Sequence, residues 1–301
     1  MSLTGFLKEK DVKQEFNHLF PKPKFALEKE ILAPPRTKQY LLVGVAFDYL
    51  LRFYLQRLNA TMAVVRSWVA EQALSPSSPI LQDVSLYVNT GEVSFTETDL
   101  TKKIRKIIDQ AKLALDHYLS SGKMTDELIE SALYLAQIEP IVRSGYVDPN
   151  IGIINKENVV DLRNMISVIR PGIFTAKDRC ILNPTFGEAS KLVGGADADL
   201  LIDDLLIDIK TTKDLKLTQD YFNQLVGYYV LYKINEMQNP PPTTLIERVG
   251  IYYSRYSEFF IIPIADIVGN MDFSSFIEWF KEKAASKYPP LPKRISPLTR
   301  N

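Results

Sequence analysis

Two short β-like runs separated by two aspartates constrain the fold of this chain more than any other feature of its sequence. The runs are residues 196–202 and 205–211, and the Asp203-Asp204 pair between them suits a tight two-residue turn. The two runs are therefore predicted to form an antiparallel hairpin in which Ile202 pairs with Leu205.

This register sorts the side chains of the hairpin onto two faces, because successive residues of a strand point to opposite sides. The first face is apolar and consists of Ala198, Leu200, Ile202, Leu205, Ile207 and Ile209. The second face is charged, with Asp199 opposite Asp208 and Asp197 opposite Lys210. Like charges repel across a ladder, so such a face is costly unless a cation is bound or solvent covers it.

A metal site is one interpretation of the charged face. Asp199 and Asp208 would supply oxygen ligands to a divalent cation, and the backbone carbonyl of Ile209 could add another. Lys210 would then orient an attacking water or stabilise charge that develops on a phosphate. The alternative is a solvated hairpin face with a Lys–Asp pair. Asp197 also faces the right way, and Asp199 is preferred as the ligand because its register places it opposite Asp208.

The scarcity of cysteine and histidine limits the kind of metal. Cys180 is the single cysteine, which excludes an intramolecular disulfide, a Cys-rich zinc site and a four-thiolate iron–sulfur cluster. The two histidines, His18 and His117, leave little material for a zinc site. A metal held mainly by carboxylates is a hard ion, so Mg²⁺ or Mn²⁺ is expected.

The remaining pattern predicts a mostly helical first half and an α/β second half. Pro21, Pro23, Pro34 and Pro35 indicate an extended arm at the start, and a Pro-rich basic tail is predicted at residues 286–301. Besides the hairpin, periodicity predicts helices at about 41–58, 61–73, 100–119, 125–136, 219–236 and 274–285, and strands at about 180–182, 249–254 and 259–263. We therefore expect one α/β domain over residues 1–301, with a helical insertion at 60–170.

The order of motifs around the hairpin resembles the PD-(D/E)xK nuclease superfamily, and specifically its RecB-type exonuclease branch. The matching residues are Gly195-Ala-Asp-Ala-Asp199, then Leu206-Ile-Asp208-Ile-Lys210-Thr-Thr212, then the Q-x-x-x-Y motif Gln224-Leu-Val-Gly-Tyr228. The resemblance implies a restriction-endonuclease-like core, a mixed central sheet flanked by helices. Gln224 and Tyr228, four apart on one helical face, would contact DNA phosphate or brace the lysine. Taken alone, they could equally be helix-surface or core residues.

A further element of the branch matches upstream. Its G-x-x-x-H motif corresponds to Gly44-Val-Ala-Phe-Asp48, in which aspartate replaces the metal-binding histidine. Asp48 could bind a hard cation, or it could form an ion pair with Arg52 one turn further along the helix. The cysteines of the iron–sulfur relatives are absent, so the resemblance is to a branch without a cluster.

The resemblance implies metal-dependent hydrolysis of DNA phosphodiester bonds, in repair, DNA processing or defence, with a helicase as a possible separate partner. Net charge is zero and the pI is about 6.8, so DNA binding would depend on local basic patches. These patches are Lys102 to Lys106, Lys177 with Arg179, Lys213 with Lys216, and Lys293 with Arg294. A restriction-type endonuclease and a catalytically silent nucleic-acid-binding module of the same fold are the alternatives. The absence of a secretory signal and of a long apolar run predicts a cytoplasmic protein without a membrane partner.

Overall fold

A six-stranded open sheet forms the centre of the computed structural model, which describes residues 2–75, 78, 99–238 and 245–288. The spatial order of the strands follows the chain, and β1/β2 and β4/β5 are parallel while the other neighbours are antiparallel. The strands are β1 (Ala63–Val64), β2 (Cys180–Leu182), β3 (Leu200–Ile202), β4 (Leu205–Lys210), β5 (Arg248–Tyr253) and β6 (Glu258–Pro263). The fold is thus an α/β fold with a mixed sheet.

Helices cover both faces of this sheet. They are α1 (Leu3–Phe6), α2 (Lys10–Leu19), α3 (Tyr40–Leu58), α4 (Asp99–Ser121), α5 (Asp126–Ser144), α6 (Lys156–Ser167), α7 (Glu188–Leu192), α8 (Gln219–Gln238), α9 (Ile264–Val268) and α10 (Phe273–Lys287). Two 3₁₀ segments, Val69–Leu74 and Pro171–Phe174, complete the described helical elements.

The alternation of side chains along the strands creates two separate cores. Leu200 and Ile207 point into a first core, which contains the buried residues of α3, α4, α5 and α6. Leu201 and Leu206 point into a second core, made with α1, α2, α8 and α10. Both faces of the hairpin are therefore buried, and the polar residues Asp208 and Lys210 lie in the second half of β4.

The predicted turn and register of the hairpin are confirmed, but the first strand is shorter than expected. Ile202 pairs with Leu205, and β3 begins only at Leu200. The preceding residues remain paired with the continuation of β2, since Ala198 N donates to Pro184 O (3.0 Å) and Asp197 forms a bridge with Thr185, but the ladder with β4 ends at Leu200. The predictions that Asp199 pairs with Asp208 and that Asp197 pairs with Lys210 are therefore wrong.

The faces of the hairpin also need one correction. Ala198 lies in the second core, not on the apolar face that Leu200 and Ile207 share. The displacement has the same cause, because the chain before β3 follows residues 183–185 and leaves the ladder with β4.

The helix predicted at residues 61–73 is wrong. This segment contains β1, which pairs in parallel with Cys180 and Ile181, and then the 3₁₀ segment Val69–Leu74. The β-branched pair Val64-Val65 favours an extended backbone, and pairing with β2 stabilises it. The Glu71 carboxylate accepts the Trp68 N–H (2.7 Å) and begins the 3₁₀ turn.

The opening stretch is only partly the extended arm that was predicted. Residues 21–39, which contain the four prolines, form neither helix nor strand, whereas α1 and α2 precede them. Val12 and Phe16 of α2 are fully buried in the second core, and this tertiary packing stabilises a helix too short to be stable alone.

The other predicted elements occur, with bounds that differ by a few residues. The helix predicted at 125–136 extends through Pro140 to Ser144. The range 60–170, expected to be a helical insertion, contains α4, α5 and α6, and also β1. Most of the predicted tail, residues 289–301 with Lys293 and Arg294, lies outside the described residues. No helix among the described residues is long and apolar enough to cross a membrane.

Candidate functional site

The carboxylate of Asp199 takes the place of a backbone partner in the hairpin. Its Oδ2 accepts the N–H of Ile209 at 2.6 Å, where an ideal ladder would continue past Leu200. Asp199 O meanwhile accepts the N–H of Asn183 (2.9 Å). Because the N–H and C=O of a strand residue point to the same side, the carbonyl of Ile209 also points towards Asp199. The hairpin therefore brings the predicted ligands Asp199 and Ile209 together.

Asp208 and Lys210 form an ion pair on the face of β4 that packs against α8. Lys210 Nζ lies 2.6 Å from Asp208 Oδ2, and the two side chains are 18% and 4% exposed. Lys210 Nζ also lies 4.7 Å from the centroid of the Tyr221 ring. Burial disfavours the ammonium, but the charges of Asp208 and Asp199 outweigh that cost and raise the pKa of Lys210. Lys210 is thus a cation at neutral pH and not a general base.

The Q-x-x-x-Y motif extends this pair along α8. Lys210 Nζ donates to Gln224 Oε1 (2.9 Å), and Gln224 Nε2 donates to the hydroxyl of Tyr228 (2.8 Å). Tyr228 is buried and stacks on Phe186 with 5.6 Å between ring centroids. The motif therefore contacts the lysine directly, and the hydrogen bonds fix its position from the helix.

Asp48 shows features of both interpretations that the sequence allows. Its Oδ2 forms an i,i+4 ion pair with Arg52 Nη2. Its Oδ1 is buried and has no hydrogen-bond partner, which is costly for a carboxylate oxygen. The negative charge of Asp48 also acts on Asp199. Asp48 is thus paired and yet keeps one oxygen without a hydrogen-bond donor.

The carboxylates of Asp48, Asp199 and Asp208 outnumber the cationic side chains that pair with them. Partial burial, and then the charges of Asp208 and Asp48, raise the pKa of Asp199 well above its ordinary value of 3.8. Burial likewise raises the pKa of Asp48, although Arg52 opposes the shift. These three carboxylates have two cationic partners, Arg52 and Lys210. The group therefore favours either a bound proton or an added cation.

An open cleft of about 650 Å³ lies above this group. Its wall includes Asp48, Asp199, Gln224 and Tyr228, together with residues from α1 and α5. Asp197 also lines the cleft. Burial raises the pKa of Asp197, and Arg143 and Arg66 partly offset the effect. The site is therefore accessible to a ligand from outside.

The structure brings together each site residue predicted from the sequence, but it does not arrange them as a preformed metal cage. Within the described ranges, no three His, Cys, Asp or Glu side chains are grouped closely enough to hold a metal ion. Each acid has a partner of its own instead: Arg52 for Asp48, the Ile209 N–H for Asp199 and Lys210 for Asp208.

The ion pair of Arg143 with Glu139 at the cleft was not predicted from the sequence. Arg143 lines the cleft, and its Nε donates to Oε2 of the buried Glu139 (2.7 Å). The i,i+4 spacing of Glu and Arg on α5 was visible in the sequence, but surface helices commonly have such pairs. What distinguishes this pair is the burial of its acid, which only the fold reveals.

Three residues of the predicted basic patches form ion pairs with nearby acids. Lys102 contacts Asp99, Arg179 contacts Asp178 and Lys216 contacts Asp214.

Comparison with known proteins adds no family assignment. No protein-family model matches the chain, and neither a curated protein nor a solved structure matches it significantly.

Proposed function

We propose that this chain is a metal-dependent nuclease of the PD-(D/E)xK type, similar to the RecB branch without an iron–sulfur cluster, and that it hydrolyses DNA. One observation carries the proposal. Asp199, Gln224 and Tyr228 line one open cleft, Lys210 contacts Gln224 and Asp208 beside it, and the five residues occur in the order that the motif requires. On this proposal, the mixed sheet with α3 and α8 on opposite faces is a restriction-endonuclease-like core.

The site offers the oxygen donors that a hard divalent cation binds, but its three carboxylates would have to move closer together to share one ion. The unpartnered Oδ1 of Asp48 and the shortage of positive charge around Asp199 are what a Mg²⁺ or Mn²⁺ ligand set requires. Asp48, Asp199, Asp208 and the carbonyl of Ile209 would hold the ion. Asp208 would then exchange part of its contact with Lys210 for the metal. A bound divalent cation supplies charge to the scissile phosphate and lowers the pKa of the attacking water.

The residues around the ligands have roles that follow from their contacts. Lys210 remains protonated, so it stabilises negative charge on the phosphate or orients the water through its N–H groups. Gln224 holds the ammonium through Oε1, and Tyr228 fixes Gln224. Loss of the lysine should therefore reduce stabilisation of the transition state more than it reduces affinity for the substrate.

A nuclease assay on the purified chain tests the proposal. Linear and circular DNA, single- and double-stranded, are incubated with Mg²⁺, Mn²⁺ or a chelator. We expect cleavage that requires the metal and falls by on the order of 100-fold or more in Lys210→Ala and in Asp208→Asn. Asp208→Asn keeps the shape of the side chain, which guards against a folding defect. Lys281→Ala is the matched control, because Lys281 pairs with Glu278 on the surface of α10.

The substrate pattern separates the classes of nuclease. Degradation of linear DNA alone indicates an exonuclease, which could act beside a helicase, and cleavage of circles indicates a restriction-type endonuclease. Activity that survives the chelator or the Lys210→Ala substitution contradicts the assigned site. Metal-independent binding of DNA without any cleavage supports the silent-module alternative.

A further inference from the structure

Arg143 is an accessible cation of the cleft. Two arginines are among the residues that line it, and Arg52 is 8% exposed and paired with Asp48. The side chain of Arg143 is 58% exposed, and it lines the cleft together with Asp197 and Asp199. It is therefore placed to meet an anion that enters the cleft.

The partner of Arg143 is unusual for a surface ion pair. Glu139 is one turn earlier on α5, and its side chain is only 4% exposed. Burying a carboxylate costs more free energy than an exposed ion pair contributes, so the ion pair with Arg143 does not by itself account for the burial of Glu139. Within this ion pair, the Nε–H of Arg143 donates to Glu139 at 2.7 Å, and Glu139 also shares a side-chain hydrogen bond with Tyr49. A guanidinium has five N–H donors, and the forked terminal pair suits a phosphate.

The negative charge of the cleft indicates a role for Arg143. Asp197 and Asp199 both line the cleft, and a nucleic-acid backbone would be repelled by them. The charge of Arg143 acts directly on Asp197. A cation in the cleft lowers the electrostatic barrier to a polyanion without neutralising the carboxylates that line it.

We propose that Arg143 binds a backbone phosphate of the nucleic acid next to the bond that is cleaved. The inference rests on the proposed nuclease function and adds a substrate-binding residue from α5, outside the hairpin and outside α8. A phosphate contact reads no base, so the contribution of Arg143 is independent of sequence.

The salt dependence of binding tests this contact separately from catalysis. Affinity for a short DNA oligonucleotide is measured by fluorescence anisotropy at several salt concentrations. All variants carry Asp208→Asn, which should prevent cleavage of the DNA during the measurement. Arg143→Gln removes the charge but keeps an amide that can donate to Glu139, which limits the risk of misfolding. We expect the slope of log affinity against log salt to fall by about 0.9 on duplex or about 0.7 on single-stranded DNA. Arg143→Lys keeps the charge and should keep the slope.

Arg163→Gln is the matched control, because Arg163 pairs with Asp126 on the surface, away from the cleft. Its slope should equal that of the parent. An unchanged slope in Arg143→Gln, or an equal decrease in Arg163→Gln, overturns the inference while metal-dependent cleavage by the wild type still stands. A wild type that neither binds nor cleaves DNA overturns the proposed function, and this inference with it.

Discussion

Asp199 has a structural role in the hairpin, but its negative charge is unfavourable where it lies. It accepts a backbone N–H that completes the hairpin, yet it lies near Asp208 and Asp48 with little positive charge to share. The position is costly for a carboxylate in the absence of a cation. Such unfavourable positions are expected at functional sites, where binding of the ligand removes the cost.

The raised pKa of Asp199 gives the metal-free protein a defined pH dependence. A carboxyl whose pKa is higher in the folded than in the unfolded state binds more protons when folded. Stability therefore falls as the pH rises from about 3.8 through the folded pKa. Asp199→Asn keeps an oxygen for the Ile209 N–H and removes the charge. We expect it to raise the Tm of the metal-free protein at pH 7 by roughly 2 °C or more, the effect of about 1 kcal/mol in a domain of this size.

Thermal unfolding between pH 4 and pH 8, with and without Mg²⁺, checks this prediction. The wild type should gain stability with Mg²⁺, by about 2.7 kcal/mol at 100 times the dissociation constant, whereas Asp199→Asn should gain little. A variant that melts below the wild type without metal would show that the charge of Asp199 is not a cost. Equal stabilisation of both proteins by Mg²⁺ would remove Asp199 from the ligand set.

At the scale of elements, the hairpin was predictable because its signals are local. The register follows from the turn residues, and α3 and α8 follow from long stretches of sequence without proline. The departure of Asp197 from the ladder was not predictable, since it depends on residues 183–185, which are distant in the sequence. The same holds for β1, whose two residues become a strand only through β2.

The site also contains residues that local sequence predicts and features that only the fold reveals. Asp199, Asp208, Lys210, Gln224 and Tyr228 were found because a motif fixes their order in the sequence. The ion pair of Asp48 with Arg52 was one of two open alternatives, and only the fold shows that one oxygen of Asp48 remains without a partner. The wall formed by α5 follows from packing between helices, which sequence periodicity does not specify.

The β3–β4 turn has a second role that its sequence did not indicate. Asp203 adopts a left-handed conformation (φ 52°), and its carboxylate accepts the N–H groups of Lys177, Asp178 and Arg179. Its burial would raise the pKa of Asp203, but these N–H groups lower it overall. The turn thus connects the hairpin to the segment that leads into β2.

Asp203→Ala should destabilise the protein by about 2 kcal/mol, because it removes these acceptors and places a side chain that disfavours this φ in the turn. Urea unfolding at pH 7 measures the effect. Asp203→Gly is the matched control, since it removes the same acceptors and tolerates the backbone conformation. Because the pKa of Asp203 is lowered in the folded state, its ionised carboxylate stabilises the fold above about pH 3.8, and this stabilisation is lost as the pH falls. The difference in stability between the wild type and the variants should therefore shrink in acid. A difference between the wild type and Asp203→Gly that does not shrink at pH 2 would contradict this role of the carboxylate.

At the scale of the whole molecule, a buried ion pair connects the segment before α3 to the helical layer and to the edge of the sheet. Arg255, between β5 and β6, contacts Asp161 of α6 through two hydrogen bonds of 2.7 and 3.0 Å, and both side chains are 1% exposed. Arg255 also donates to Ala33 O (2.9 Å), and its own carbonyl accepts the N–H groups of Leu32 and Ala33. The pair therefore fixes the connection between α2 in the second core and α3 in the first.

Arg255→Met should cost about 3–5 kcal/mol, because it leaves the Asp161 carboxylate buried without its cation. The double variant Arg255→Met/Asp161→Leu should lose less than the sum of the two single variants, since it removes both charges together. It should not recover fully, because the Ala33 carbonyl and the Arg36 N–H, which donates to Asp161 Oδ2, also lose a partner. Lys191→Ala, in an exposed pair with Glu188, should change stability by less than about 1 kcal/mol. Guanidinium unfolding of the set measures the coupling; additive losses would show that the two charges act independently and that packing alone connects the segment before α3 to the two cores.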